Sequence, residues 1–98
     1  MKNHTLVIFR AFKQGGDVIA LFPLIPATDG GWRCQSYQHI GQHGAACPHI
    51  CRNTTRPATR AEIAPLRREL TRLGYRLKTI KRFPSNAFAV RRAQLPNP

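Results

Sequence analysis

The stretch TLVIFRAFKQGGDVIALF, residues 5–22, decides the fold, because it holds two apolar runs on either side of a glycine-containing turn. The runs are Thr5–Phe12 and Val18–Phe22, and two runs rich in β-branched and aromatic residues around a short turn are typical of a β-hairpin. Both runs are almost continuously apolar, which predicts that at least one is a central strand covered on both faces. We expect Pro23 and Pro26 to end the second strand, because proline cannot donate to a β-ladder.

Alternating patterns predict two further strands. Residues 32–40 (WRCQSYQHI) alternate along their length, and residues 75–83 (YRLKTIKRF) place apolar side chains on one face and basic ones on the other. Trp32 is expected in the core because of its large apolar area. Between these strands, residues 41–57 carry glycines and prolines and are predicted to form a long loop, with at most a short edge strand. A loop of this length suggests a functional role.

Residues 60–73 are predicted to form a helix. Thr59 and Glu62 fit a capping box, in which each side chain accepts from a free backbone N–H group. Gly74 suits the position after the helix, where a left-handed backbone conformation is favoured. Four apolar residues recur at helical spacing and form one stripe: Ile63, Leu66, Leu70 and Leu73. Pro65 conflicts with this pattern because it removes a backbone hydrogen bond, so either the first turn is distorted or the regular helix begins later.

The predicted order of elements is β-β-β-α-β. It indicates an α+β domain with a three- to four-stranded antiparallel sheet and one helix packed on a face. A chain of 98 residues suits a single domain. We place that domain at residues 1–83 and expect residues 84–98, which contain three prolines, to form a poorly ordered C-terminal tail.

The sequence also bears on the compartment. No apolar run approaches the roughly 20 residues that a membrane helix needs, and we expect no signal peptide, because the first residues carry no small-residue cleavage site. The cysteines number three, which does not suit a disulfide framework and favours a reducing compartment. We therefore expect a cytoplasmic protein that does not engage a membrane, and its oligomeric state stays open.

Positive charge is the strongest global feature of the chain. Sixteen Lys and Arg residues oppose four Asp and Glu residues, which gives a net charge of +12. The charge is uneven, because residues 1–51 hold four basic and two acidic groups while residues 52–98 hold twelve and two. Such asymmetry predicts a polyanionic partner. We expect non-specific binding of nucleic acid. An acidic protein partner, bound by an adaptor or inhibitor, is the alternative, and a charged surface that serves solubility alone is a third interpretation.

The candidate nucleic-acid-binding residues lie off the apolar stripe of the predicted helix and on the outer face of the last predicted strand. They are Arg60, Arg67, Arg68, Arg72, Arg76, Lys78, Lys81 and Arg82. Tyr37 and Trp32 could stack on unpaired bases. Because no helix-turn-helix, RNP-like or zinc-finger pattern is present, the sequence does not predict base-specific recognition.

Histidine and cysteine are concentrated in residues 39–51. His39, His43, Cys47 and Cys51 follow one another at intervals of four and are ligand types that zinc accepts. Bound zinc is therefore one interpretation, and small buried thiols beside histidines that satisfy backbone groups are the other. His39 and His43 could also act as general acid and base in RNA cleavage. No carboxylate is obviously placed to orient either ring, and phosphate-loop and hydrolase motifs are missing, so we expect neither a cofactor nor catalysis.

Five short segments are distinctive as a set. They are VIFRAF at residues 7–12, DVIALFP at 17–23, YQHIGQHGAA at 37–46, TRPAT at 55–59 and GYRLKTIKR at 74–82. Together they resemble a family of small uncharacterised proteins found in bacterial genomes and on conjugative plasmids and integrated elements. The resemblance implies a bacterial, intracellular, mobile-element setting and brings no activity with it. Cys47 and Cys51 lie outside the shared motifs, which weakens a site built on them.

Overall fold

The computed structural model describes residues 4–27, 30–39 and 42–95. Within these ranges the protein is α+β, with six strands and three helices. In chain order they are β1 Thr5–Phe12, β2 Val18–Pro26, β3 Cys34–Gln38, β4 Gln42–Ala46, α1 Pro48–Thr54, β5 Thr55–Pro57, α2 Arg60–Arg72, β6 Leu77–Thr79 and α3 Ala87–Ala93.

The strands form one sheet in the order β4-β3-β2-β1-β5, and β6 also pairs with β1. Neighbouring strands are antiparallel except β6, which runs parallel to β1. The first half of β1 pairs with β6 and its second half with β5, so both short strands share one edge. The sheet is therefore larger than the predicted three to four strands. Residues 41–57, predicted as loop, instead contain β4, α1 and β5; the short edge strand that the prediction allowed there is present as β4.

The predicted hairpin is confirmed in β1 and β2, which pair antiparallel with Ile8 opposite Leu21. Gly15 and Gly16 form the turn with φ values of 86° and 75°, a left-handed conformation that glycine adopts without steric cost. The amide of Gly16 donates to the carbonyl oxygen of Phe12 at 3.1 Å and closes the turn.

Pro23 does not end β2, which continues to Pro26. The pairing with β3 is regular to Phe22, shifts register, and resumes at Pro26 opposite Cys34. A bulge of this kind tolerates proline because the residues within it make no ladder hydrogen bonds. The strand therefore continues through Pro23, although proline usually ends a strand.

Both faces of the sheet are covered, as the continuous apolar runs predict. On one face α2 packs over a cluster formed by Val7, Phe9, Ala20, Phe22, Tyr37, Leu66 and Leu70. On the other face α1 and the segment after β6 cover Ile8, Ile19, Leu21, Cys34, Ala46 and Cys51. Alternate residues of β1 and β2 serve the two clusters, since successive side chains of a strand point to opposite faces.

The helix predicted at residues 60–73 is confirmed as α2. Thr59 and Glu62 form the capping box, with each side chain accepting from the other's backbone N–H. At the far end Gly74 has φ 106°, and the amide of Tyr75 donates to the carbonyl oxygen of Leu70 at 3.1 Å, as in a Schellman motif. Pro65 lies inside the helix, and the helical assignment nevertheless starts at Arg60.

The expectation of a single helix is wrong, because α1 and α3 are also present. Each has seven residues, too few to display an amphipathic period that sequence inspection could find. The structure also differs from the expected C-terminal tail, since α3 lies within residues 84–98 and buries Ala87 and Arg91 against the sheet. No helix in the described part of the chain is long and apolar enough to cross a membrane.

Two strand predictions need correction in detail. β3 begins at Cys34, so Trp32 lies in the preceding bend and is 70% exposed rather than in the core. Ile40, the last residue of that predicted strand, lies outside the described residues. The strand predicted at residues 75–83 shrinks to Leu77–Thr79, because only this part pairs with β1.

Candidate nucleic-acid interface

Helix α2 presents a row of arginines on the side that faces away from the sheet. Leu66 and Leu70 are buried against the sheet, and this orientation turns the remaining sides of the helix outward. All four of its predicted binding residues are exposed: Arg60, Arg67, Arg68 and Arg72. The apolar stripe therefore positions the basic side chains, although none of them takes part in the packing.

Arg67, Arg68 and Arg72, together with Thr71, line one shallow and open surface depression, which we call the α2 groove. Arg67 donates from its guanidinium to the hydroxyl of Thr79 in β6, which anchors one wall of the groove. The hydroxyl of Thr71 donates back to the carbonyl oxygen of Arg67 at 2.8 Å. Three guanidinium groups are thus gathered on little more than one helical turn.

The two carboxylates of α2 make their direct contacts with residues outside the groove. Glu62 accepts from both terminal nitrogens of Arg56, at 2.8 and 2.6 Å, and from the Thr59 amide at 2.9 Å. Glu69 accepts from the hydroxyl of Tyr37 and lies 2.8 Å from Nδ1 of His39. Among the described residues, Glu62 forms an ion pair with Arg56 and Glu69 contacts the His39 ring, so neither carboxylate touches a groove arginine directly.

Both carboxylates are held in their charged form. The hydrogen bond from Arg56, aided by the Thr59 amide, lowers the pKa of Glu62 to about 2. The hydrogen bond from Tyr37, followed by that from His39, lowers the pKa of Glu69 below its usual value. The same contact with Glu69 raises the pKa of the Tyr37 hydroxyl. At neutral pH both Glu62 and Glu69 are therefore negatively charged and remain in these contacts.

The remaining predicted binding residues do not join the α2 groove. Lys78 is opposite Leu6 in the pairing of β6 with β1, so it points to the face of the sheet away from α2. Lys81 and Arg82 line a separate cavity on that same far face. Arg76 is exposed just before β6. The structure divides the predicted basic set between the two faces of the sheet.

The aromatic residues expected to stack on bases behave differently from one another. Tyr37 is buried in the cluster beneath α2 and offers no ring face to a ligand. Trp32 is exposed and stacks on Phe88 of α3, with ring centroids 4.5 Å apart. Trp32 alone of this pair is available to a base, and it lies outside the residues that line the α2 groove.

His39 and His43 lie on the α2 side of the sheet, at its β3–β4 end. His43 is opposite Tyr37 in the β3–β4 ladder, and its Nε2 lies 2.8 Å from the Tyr75 hydroxyl. Glu69 orients the His39 ring, so the structure supplies the carboxylate that sequence inspection could not find. The partners Tyr37, Glu69 and Tyr75 come from β3, from α2 and from the segment between α2 and β6, and no spacing rule in the sequence connects them.

The four candidate zinc ligands are not brought together. Cys51 packs in the cluster on the far face of the sheet, whereas His39 and His43 lie on the α2 face. Cys47 precedes α1 and is half-buried. Across residues 4–27, 30–39 and 42–95, no group of three or more His, Cys, Asp or Glu side chains is arranged to hold a metal ion.

The fold makes two arginines prominent that were not among the candidate binding residues. Arg10 and Arg52 line the far-face cavity beside Lys81 and Arg82. Arg10 carried a detectable signal, because it is a charged residue inside an otherwise apolar strand. Arg52 is recognisable in the sequence as a basic residue ahead of the predicted helix, and only the fold brings it beside Arg10.

Comparison of the chain with protein-family models, with curated proteins and with solved structures found no match.

Proposed function

We propose that the protein binds nucleic acid, without base specificity, through the α2 groove. The observation that carries this proposal is that Arg67, Arg68 and Arg72 line one depression while both carboxylates of α2 make their direct contacts with other residues. Guanidinium groups form paired hydrogen bonds with phosphate oxygens, and their spacing along a helix suits successive phosphates of a backbone. Counterion release then drives binding regardless of sequence.

The positions of the other basic residues support a narrower interface than the sequence alone suggests. Lys78, Lys81 and Arg82 lie toward the far face of the sheet, so a single duplex lying in the α2 groove would not reach them together. We assign the contact to the groove arginines, with Arg60 about two turns closer to the start of the helix. We retain as proposals a cytoplasmic site of action and the bacterial mobile-element setting that the resemblance implies.

The test is the salt dependence of binding to random-sequence duplex DNA and to single-stranded RNA. The groove variant carries Arg67→Gln, Arg68→Gln and Arg72→Gln. Each lost phosphate contact reduces the slope of log affinity against log salt by about 0.9 on duplex DNA, so the slope should fall by about 2 to 3. The weakening should be similar for unrelated sequences.

The matched control removes the same amount of charge elsewhere, through Lys13→Gln, Arg33→Gln and Arg92→Gln. These side chains are exposed and lie outside the groove. We expect the control variant to lose far less affinity than the groove variant. Equal losses in the two variants would mean that overall charge, and not the groove, binds nucleic acid.

An acidic protein is the alternative partner for the same groove. Pull-down from a lysate of the source cell, with and without nuclease, distinguishes the two. Partners that disappear on nuclease treatment support the nucleic-acid proposal. A stoichiometric acidic protein that survives nuclease and is lost with the groove variant would replace it.

RNA cleavage by His39 and His43 is favoured by one contact, that of Glu69 with the His39 ring. Cleavage would need one imidazole to take the 2′-hydroxyl proton while the other protonates the leaving 5′-oxygen. Both rings are instead engaged within the domain, with Glu69 and with Tyr75. We therefore expect RNA to be bound and left intact. Products with cyclic phosphate ends that vanish in both His39→Ala and His43→Ala would establish the catalytic function.

A further inference from the structure

The far face of the sheet carries a cavity of about 330 Å³ between the β1–β2 hairpin, α1 and the segment after β6. Its floor is apolar and consists of Ile8 and Leu21 from the two central strands. Phe83 forms a wall, and Cys51 of α1 contributes a buried thiol. The volume lies at the lower end of the range for small-molecule sites, which is about 300 to 1,000 Å³.

Four basic side chains line this cavity: Arg10, Arg52, Lys81 and Arg82. They come from β1, from α1 and from the segment after β6, so tertiary structure assembles the set. Among the described residues that line the cavity there is no carboxylate. Four positive charges around an apolar floor form a site with a strong preference for an anion.

Arg10 is the member of this set whose side chain is held in place by hydrogen bonds. Its Nε donates to the hydroxyl of Thr55 and its Nη2 to the carbonyl oxygen of Thr55, both at 2.9 Å. These two bonds hold the half-buried guanidinium in one orientation and leave further N–H groups for a ligand. A charged residue in a central apolar strand is costly to desolvate, and a bound anion would offset that cost.

The Cys51 thiol does not provide a negative charge that could balance the four cations of the cavity. Burial raises the pKa of its thiol, with the neighbouring Cys47 adding to the effect. At neutral pH the group is a neutral thiol and behaves as part of the apolar floor. The cavity therefore combines an uncompensated cationic wall with a neutral floor.

We propose that this cavity binds a small phosphate monoester that carries a flat ring, the chemical class of a nucleoside monophosphate. A phosphate monoester brings nearly two negative charges and three acceptor oxygens, which matches several guanidinium and ammonium donors better than a single carboxylate does. The ring would lie on Ile8 and Leu21 beside Phe83. Because the cavity and the α2 groove lie on opposite faces of the sheet, this site is independent of the nucleic-acid interface.

Calorimetric titration with three probes tests the ligand class. We expect adenosine monophosphate to bind at one site per chain. Inorganic phosphate lacks the ring and should bind about tenfold more weakly or worse, and adenosine, which lacks the charge, should show the larger loss. The three probes separate recognition of the phosphate from recognition of the ring.

Two variants of the cavity locate the site, and two variants elsewhere serve as controls. Arg52→Gln with Arg82→Gln removes two exposed cations and should weaken adenosine monophosphate by about tenfold or more. Phe83→Leu keeps the apolar packing and should weaken adenosine monophosphate while leaving phosphate unchanged. The matched control, Arg33→Gln with Arg92→Gln, and the groove variant should both bind adenosine monophosphate like the wild-type protein. Thermal unfolding of each variant verifies that it is folded.

Any of four results would overturn the proposal. They are no heat of binding with adenosine monophosphate at millimolar concentration, phosphate binding as tightly as adenosine monophosphate, adenosine binding equally tightly, or equal weakening in the control pair. A loss of adenosine monophosphate binding in the groove variant would assign that ligand to the α2 groove instead. Nucleic-acid binding with no mononucleotide binding would leave the first proposal standing and remove this one.

Discussion

The guanidinium of Arg91 in α3 donates a hydrogen bond of 2.6 Å to the carbonyl oxygen of Pro23 in β2. Pro23 lies where the β2–β3 ladder shifts register, so its carbonyl has no regular strand partner. Arg91 also donates to the carbonyl oxygen of Gly31 at 2.8 Å, and Gln94 reaches that of Leu24 at 2.5 Å. Arg91 of α3 and Gln94 just after it thus satisfy carbonyl groups of β2 at the register shift and of the segment before β3.

Arg91→Ala should therefore destabilise the fold, by about 2 to 4 kcal/mol, because it removes charge-assisted hydrogen bonds and leaves buried carbonyl groups unsatisfied. Arg91 is 4% exposed, whereas its neighbour Arg92 is exposed. Arg92→Ala, the matched control, should change stability by no more than about 0.5 kcal/mol. Urea unfolding of the two variants makes the comparison, and equal midpoints would contradict the role given to Arg91.

The three cysteines should differ sharply in reactivity. Burial raises the pKa of Cys34 to about 11 and also raises that of Cys51, so both thiols stay protonated and shielded. Cys47 is half-buried before α1. Titration of the native protein with a disulfide reagent at a pH of about 8 should show one fast thiol and two slow ones. Cys47→Ser should remove the fast phase, and its persistence in that variant would contradict the assignment.

Glu62 should contribute to the acid sensitivity of the fold. Its pKa is lowered from 4.5 to about 2 by Arg56 and the Thr59 amide. A lowered folded-state pKa stabilises the protein above the unfolded-state value, and this contribution is lost as the pH falls from about 4.5 towards 2. Glu62→Gln keeps a capping-box acceptor but removes the charge. The variant should be less stable at neutral pH, with a difference that shrinks to nothing at the acid end.

Chemical unfolding at a series of pH values measures this effect. Asp17→Asn is the control, since Asp17 is an exposed carboxylate in the β1–β2 turn and makes no ion pair with the described residues. We expect the stability of Asp17→Asn to fall with decreasing pH in the same way as that of the wild-type protein. If the stability of Glu62→Gln also fell with pH as that of the wild type does, Arg56 and Thr59 would not hold the Glu62 charge in solution.

Trp32 should report an exposed environment. It is the single tryptophan of the chain, is 70% exposed, and is covered on one ring face by Phe88. Acrylamide should quench its fluorescence readily in the folded protein, and Phe88→Ala should increase the quenching further. A blue-shifted emission insensitive to acrylamide would instead place Trp32 in the core.

Much of the candidate site follows from local rules. The amphipathic stripe of α2 orients its arginines outward whatever the sheet beneath it, so Arg60, Arg67, Arg68 and Arg72 could be predicted from periodicity. The far-face cavity could not, because Arg10, Arg52 and Arg82 come from separate elements. Glu69 likewise gains its partners His39 and Tyr37 from strands about thirty positions earlier, and such contacts have no local signature.

The amino-acid sequence by itself determined the β1–β2 hairpin, the capping box and glycine stop of α2, and the positive charge of residues 52–98. These features depend on neighbouring residues, whose backbone preferences and hydrogen bonds act over a few positions. Tertiary structure decided the rest. Short elements such as α1, β5 and α3 are stable only through packing and distant hydrogen bonds, and the strand register distributes the cations between two faces. The face of the sheet on which a side chain lies depends on how its strand pairs with the neighbouring strands, and the whole fold determines that pairing.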